Sequence, residues 1–234
     1  TQHPEEANMA ATAKSNNSFA IWVSVAVVAV LVLVGALVVW MNNTASAPGP
    51  VPAAANINTE TGGIAVGTGS NSVDTYVDFM CPYCNQFEQA EGETIRQLID
   101  DGSITLNVHP VSILDRVSQG TQYSTRSASA AYCVAESDPD ALLDFITAMY
   151  AQQPAESSPG LTDDEIVAIA EGAGATNSSS CITDGTYMDF ATTMTQNLPT
   201  NPATCGASTP TLVVNGEYVT VTYDPQTDIV ARLN

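Results

Sequence analysis

The longest hydrophobic segment of the chain is residues 19–41, which contain no charged side chain. As a helix these 23 residues would extend roughly 34 Å, more than the roughly 30 Å hydrocarbon core of a bilayer. Trp22 and Trp40 lie near its two ends, where indole rings prefer the membrane–water interface. The pattern predicts a transmembrane helix at 19–41. A cleaved signal peptide ending at Ala45-Ser46-Ala47 is the alternative, but the apolar run is long for one and Pro48 would follow the cut, which favours an uncleaved anchor.

Residues 42–71 are rich in Pro, Gly, Ala, Ser, Thr and Asn, a composition typical of a linker, with one short strand predicted at 64–66. A folded domain is expected at 72–234. Its first apolar run, Val73 to Phe79, predicts a buried strand. A helix follows, with its apolar residues on one face and Gly102 at its end, and Ile104 to Val111 predicts a second strand. Strand, helix and strand in succession indicate a βαβ unit with parallel strands.

The pattern is helical over about 120–200 and returns to strands near the end of the chain. One helix is predicted to start at Asp138, and another after a capping box made by Thr162 and Glu165. Asn215-Gly216, between two apolar runs, predicts a β-hairpin turn, and a last short helix is expected at 228–233. The chain is therefore expected to carry an α/β domain interrupted by a helical insertion.

The charge balance is strongly acidic, with 25 acidic residues against 5 basic ones and a net charge of −20. So few cations cannot neutralise a phosphate backbone, which excludes nucleic acid as a partner. Lys14 is the only basic residue close to the apolar run, so the positive-inside rule places a tail at 1–18 in the cytoplasm and the domain outside the plasma membrane. All five cysteines follow the run, where disulfides can persist.

Cys81 and Cys84 carry the clearest chemical signal, because two residues separate them at the junction of a predicted strand and helix. Free N–H groups and the helix dipole stabilise a thiolate at such a position. A zinc site would need two further ligands from a second CxxC or a His pair, and the sequence has neither. Covalent haem would need a histidine directly after the motif, where Asn85 stands. A purely structural disulfide is unusual at this spacing. We therefore expect redox chemistry, with Cys81 as the nucleophile, Cys84 as the resolving thiol, and no metal.

The run from Asp78 to Cys84 (Asp-Phe-Met-Cys-Pro-Tyr-Cys) and the run from Ser208 to Gly216, which contains Thr209 and Pro210, together resemble the DsbA-like branch of the thioredoxin superfamily. The resemblance covers nearly all of 73–234, including the helical insertion. It implies a thioredoxin-like fold and a redox-active motif with Pro82 and Tyr83 between the cysteines. It also implies a cis Pro210, with the backbone of Thr209 presented to an extended substrate strand.

The resemblance further implies a membrane-anchored thiol–disulfide oxidoreductase that forms or rearranges disulfides in exported proteins, without a cofactor. Its partners would be exported protein thiols or disulfides and a quinone-linked membrane oxidant. The alternative function is an accessory single-pass subunit of a larger membrane complex, for example a respiratory assembly, in which the domain serves for docking.

Other positions leave alternatives open or depart from the family. Cysteines in similar places in relatives imply a structural disulfide between Cys133 and Cys181, but Cys205 could be a bystander, a reactive thiol or the partner of Cys181.

Many relatives carry a buried acid six positions before the first cysteine, where this chain has Thr75. Proton transfer to the buried thiol is then expected to be slower or to pass through water.

Overall fold

The structure, a computed structural model, describes residues 18–45 and 49–234, and the side chains at 21–37 and 49–234. The chain divides into two compact units between residues 47 and 48. The first contains helix α1 (Ser18–Ala45), whose described side chains are exposed. The tail predicted at 1–18 lies outside the described residues, apart from Ser18 at the start of α1. Among the residues described, no helix is long and apolar enough to cross a membrane, so the transmembrane helix expected at 19–41 is not confirmed.

The second unit is built on a five-stranded sheet. Its strands are β1 (Ile64–Val66), β2 (Asn71–Val77), β3 (Ile104–Pro110), β4 (Thr211–Val214) and β5 (Glu217–Val219), in the order β1-β3-β2-β4-β5. Strands β2 and β3 are parallel and joined by helix α2 (Pro82–Asp100), which confirms the predicted βαβ unit. The other neighbours are antiparallel, and β4 and β5 form the predicted hairpin, with Asn215 and Gly216 at φ 50° and 83°.

Five α-helices lie between β3 and β4, in the region where the sequence predicts a helical insertion, about 120–200. They are α3 (Tyr123–Ser137), α4 (Leu142–Ala151), α5 (Asp163–Gly172), α6 (Ser179–Thr183) and α7 (Met188–Thr195). The capping box predicted before α5 is present, with Thr162 accepting from the Glu165 N–H. The predicted last helix is broken into α8 (Pro225–Asp228) and a 3-10 turn (Val230–Arg232).

The insertion packs onto the end of the sheet through aromatic side chains. Phe79, which follows β2 and is fully buried, lies 5.4 Å from the ring of Tyr150 and 6.2 Å from that of Phe145, both on α4. The segment that leads from β2 to the CxxC motif is therefore held between the sheet and the insertion.

The folded unit begins earlier than the boundary expected at residue 72. The side chains of Ile57 and Ile64 are buried in the core. The Ala53 N–H donates to the carboxylate of Glu136, and the Asn56 amide donates to the Ala135 carbonyl at 3.1 Å. Composition suggested a linker here, but these contacts with the end of α3 make the segment part of the domain.

Candidate active site

Cys81 and Cys84 lie at the N-terminal end of α2. Cys81 is the residue before the helix, with extended backbone angles, and its carbonyl accepts from the N–H groups of Cys84 at 3.0 Å and Asn85 at 3.2 Å. Pro82 occupies the first helical position, where its missing N–H leaves no hydrogen bond unmade. The motif therefore starts a helix and places both sulfurs in its first turn.

The two cysteines are unbonded thiols in this structure and differ in accessibility. Cys84 is fully buried, whereas Cys81 keeps 4 % of its surface exposed beside Tyr83, which is 59 % exposed. Both residues are therefore buried, and of the two only Cys81 keeps any surface in contact with solvent.

The Thr209–Pro210 segment reaches the cysteines from far along the chain. The peptide bond between Thr209 and Pro210 is cis, and the Thr209 carbonyl oxygen lies 3.4 Å from the Sγ of Cys81. The sheet positions it, since β4 starts at Thr211 and pairs with Tyr76 near the end of β2. The structure thus brings Cys81, Cys84, Thr209 and Pro210 together.

The two thiols have opposite acidities. A hydrogen bond from Cys84, helped by backbone N–H groups of Cys84 and Tyr83, lowers the pKa of Cys81 to about 6 despite its burial. Burial, followed by the hydrogen bond to and the charge of Cys81, raises the pKa of Cys84 well above its ordinary value. The site can therefore hold a thiolate on Cys81 and a proton on Cys84 at neutral pH.

A buried carboxyl group fixes the turn that precedes the motif. Asp78 accepts hydrogen bonds from the Met80 N–H at 2.9 Å, the Leu114 N–H at 3.0 Å and the Ser124 hydroxyl at 2.7 Å, and burial raises its pKa to about 6. From the sequence, Asp78 is named above only as part of the motif. Its place at the end of an apolar strand was the available signal that it is buried.

Gln153, in the insertion, supports the motif but was not predicted from the sequence. Its side-chain amide donates to the carbonyls of Phe79 at 3.0 Å and Cys81 at 2.9 Å, and its oxygen accepts from the Asn85 amide at 3.1 Å. The insertion thereby fixes the backbone of the motif. Nothing in the local sequence distinguishes this glutamine from a surface residue.

The other three cysteines are a disulfide pair and one free thiol. Cys133 on α3 and Cys181 on α6 form a disulfide within the insertion, while Cys205 is free and exposed. In residues 18–45 and 49–234, no group of three or more His, Cys, Asp or Glu side chains could hold a metal ion.

Comparison with known proteins agrees with this geometry. Residues 60–230 match the family model described as thioredoxin. The crystal structure of reduced DsbA from Mycobacterium tuberculosis is 30 % identical, with a TM-score of 0.60 over 68 % of this chain and 85 % of that one. The reduced form of DsbG from the same organism is 28 % identical, with a TM-score of 0.57 over 77 % and 85 %.

A curated relative matches this chain over part of its own, longer sequence. The serine/threonine-protein kinase PknE of Mycobacterium tuberculosis is 30 % identical over 170 residues, which are 70 % of this chain but only 30 % of that protein. The MdbA protein of Actinomyces oris, 22 % identical with a TM-score of 0.60 over 76 % of this chain and 89 % of that one, shares the fold. The chain belongs to the thioredoxin family, in the DsbA-type group, as the family model, the identity to DsbA and the arrangement of its cysteines show.

Proposed function

We propose that this protein is an extracytoplasmic thiol–disulfide oxidoreductase, tethered to a membrane, that forms or rearranges disulfides in exported proteins. The observation that carries the proposal is the arrangement of the cysteines: Cys81 and Cys84 lie at the start of α2, and the Thr209 carbonyl next to the cis Thr209–Pro210 bond lies 3.4 Å from the Sγ of Cys81. Relatives described as DsbA and as a disulfide bond oxidoreductase support it.

In the oxidising direction, the reaction starts from a disulfide between Cys81 and Cys84. A substrate thiolate attacks the Sγ of Cys81, the bond between the two cysteines breaks, and Cys84 leaves with the electron pair and takes up a proton. A second substrate thiolate then attacks the substrate sulfur and displaces Cys81. The substrate gains a disulfide and the protein becomes a dithiol. Because Cys81 has a low pKa, it is a good leaving group in this last step.

Substrate would approach in an extended conformation beside Thr209. The cis bond turns the chain there, and Pro210 has no N–H to compete for hydrogen bonds. The backbone of Thr209 can then pair with a substrate strand whose sulfur points at Cys81, 3.4 Å from the Thr209 carbonyl. Reoxidation would come from a quinone-linked membrane protein, as the family resemblance implies.

The location and the tether rest on the sequence. The uncharged run at 19–41 and the cysteines that follow it support an anchored, extracytoplasmic domain. Expressing the full chain and extracting membranes with carbonate tests this. The anchored protein would stay in the membrane fraction and be digested by protease added outside the cell; release by carbonate would refute the tether.

The activity test uses the purified full chain and a reduced dithiol peptide. The oxidised protein should convert the peptide to its disulfide, and Cys81→Ser should abolish the reaction. Cys205→Ser is the matched control, because this thiol is exposed and free but outside the motif, and it should remain active. An active Cys81→Ser variant would remove Cys81 from the mechanism.

A further inference from the structure

The turn between β2 and α2 leads to the sulfur of Cys81 and is held by two side chains. The Asp78 carboxylate accepts from the Met80 N–H at 2.9 Å. The Gln153 amide nitrogen donates to the carbonyls of Phe79 at 3.0 Å and Cys81 at 2.9 Å. Asp78 therefore fixes an N–H group of the turn, and Gln153 fixes two of its carbonyl groups.

The two carbonyls that Gln153 binds depend on it in different ways. Phe79 is fully buried, and among the residues that the structure describes Gln153 is the only donor to its carbonyl. A buried carbonyl without a donor is unfavourable, so this bond holds the turn in place. The Cys81 carbonyl belongs to the same residue as the attacking sulfur. The Gln153 amide opposes the partial negative charge of that carbonyl, which favours a thiolate on the sulfur.

Two further amides fix the orientation of Gln153. The Asn85 amide nitrogen donates to the Tyr150 carbonyl at 3.0 Å and to the Gln153 side-chain oxygen at 3.1 Å. The Gln89 amide nitrogen donates to the Asn85 side-chain oxygen at 2.8 Å. A backbone carbonyl only accepts hydrogen bonds, so the amide nitrogens of Asn85 and Gln153 must face the carbonyls that they contact. These three amides therefore form one directional chain of hydrogen bonds that ends at Cys81.

The contacts of the Cys81 sulfur require a fixed backbone. Its Sγ lies 3.4 Å from the Thr209 carbonyl oxygen, and a hydrogen bond from Cys84 favours its thiolate. Both contacts depend on where the chain places the Cys81 side chain. A turn whose carbonyls are held by Gln153 keeps the sulfur within reach of both.

We propose that Gln153 is a positioning residue for the reaction of Cys81: its amide holds the backbone of the turn, so that the attacking sulfur keeps the contacts that favour its thiolate. The role in the reaction rests on the proposed function. In the step concerned, the Cys81 thiolate attacks a substrate disulfide and its Sγ bonds to one substrate sulfur. The substrate S–S bond breaks, and the other sulfur leaves as a thiolate.

Alkylation of the reduced full chain by iodoacetamide across pH 4–10, in the Cys205→Ser background, measures the acidity of Cys81. Gln153→Leu removes the donor and should raise the midpoint by about 0.5–1 pH unit, so the rate at pH 5 falls about three- to tenfold and the plateau at high pH is unchanged. Gln153→Glu keeps the shape, but its carboxylate cannot donate and its charge should raise the midpoint further. The rate at pH 5 with oxidised glutathione, in which Cys81 attacks the disulfide, should fall by the same factor.

Three comparisons separate this role from a merely structural one. Gln152→Leu is the matched control, because this neighbouring glutamine is exposed, and it should leave the midpoint unchanged. Asn85→Ala removes a donor that orients Gln153 and should raise the midpoint less than Gln153→Leu does. Added to Gln153→Leu, it should cause no further rise, because the two residues act on the same carbonyls.

An unchanged midpoint in Gln153→Leu and Gln153→Glu would overturn the assignment, even if urea unfolding showed a loss of stability. A rise as large in Gln152→Leu would overturn it as well. If Gln153→Leu does not fold, the midpoint of Asn85→Ala decides, and no rise there would contradict the proposal. Failure of the unaltered chain to react with oxidised glutathione would instead refute the proposed function, whereas the alkylation midpoints would still test how Gln153 affects the acidity of Cys81.

Discussion

Replacing Cys84 by alanine should make the Cys81 thiol a weaker acid. The hydrogen bond from Cys84 is the largest cause of the lowered pKa of Cys81, and alanine cannot donate one. The backbone N–H groups at the start of α2 remain and should hold the pKa partly down. Serine at the same position keeps a donor, so Cys84→Ser is expected to have a smaller effect.

The size of the effect follows from the acidity of the site. An ordinary thiol has a pKa near 8.5 and is about 3 % thiolate at pH 7. At a pKa of about 6, Cys81 is roughly nine-tenths thiolate at that pH. Discounted for solvent screening, this preference for the thiolate is worth about 2–3 kcal/mol. A hydrogen bond to a charged group contributes about 1.5–3 kcal/mol, so its loss should raise the pKa by about 1–2 units.

The rate of alkylation by iodoacetamide, measured across pH 4–10, reports the thiolate fraction. The Cys205→Ser background removes the one exposed free thiol of the described residues. The midpoint should lie near pH 6 with Cys84 present, higher with serine, and highest with alanine. Equal midpoints in all three proteins, or a midpoint near 8.5 with Cys84 present, would refute the reasoning.

Three further predictions concern stability, measured by urea unfolding. Replacing both Cys133 and Cys181 by serine should cost about 4 kcal/mol, since the disulfide closes a loop of 48 residues; no loss would contradict the chain-entropy argument. Asp78→Ala leaves three buried donors without an acceptor and should cost at least about 3 kcal/mol, and a smaller cost would mean that the donors find other partners. Burial raises the pKa of Glu91 to about 7, and the charges of Asp228 and Asp224 add to the effect. The folded state therefore keeps a proton that the unfolded chain releases near pH 4.3. As the pH rises from about 4.3 to about 7, the free energy of unfolding falls. Glu91→Gln should therefore stabilise by about 1–2 kcal/mol at pH 8, after solvent screening, and have no effect at pH 4; equal effects at both would contradict this.

The elements around the motif could be predicted because their signals are local. The strand expected at Val73 to Phe79 is β2 at Asn71–Val77, and the helix expected to end at Gly102 is α2 at Pro82–Asp100. Apolar alternation, a proline at the first helical position and a glycine after the last turn are sufficient for such segments.

The segment before β2 could not be placed by composition. Its small polar residues suggested a linker, but Ile57 and Ile64 find a buried surface against the rest of the domain. Whether such a segment packs onto the domain depends on partners far along the chain, such as Ala135 and Glu136 on α3, which accept hydrogen bonds from Asn56 and Ala53.

The cysteine pair and Pro210 could be predicted because their motifs are specific, whereas the supporting polar residues could not. The Gln153 side chain donates to the carbonyl of Cys81 across 72 positions of sequence. Such a role arises from tertiary packing, and a single glutamine carries no local signal of it.

The most direct test of the account is to trap the covalent intermediate with a substrate. A Cys84→Ala protein, in the Cys205→Ser background, is mixed with a peptide disulfide, quenched with acid, and mapped by mass spectrometry. A mixed disulfide is expected at Cys81, where it accumulates because no thiol resolves it. No adduct is expected on Cys84 when Cys81 is replaced by serine instead. An adduct on Cys84 in that second protein, or none on Cys81 in the first, would contradict the assignment of Cys81 as the attacking sulfur.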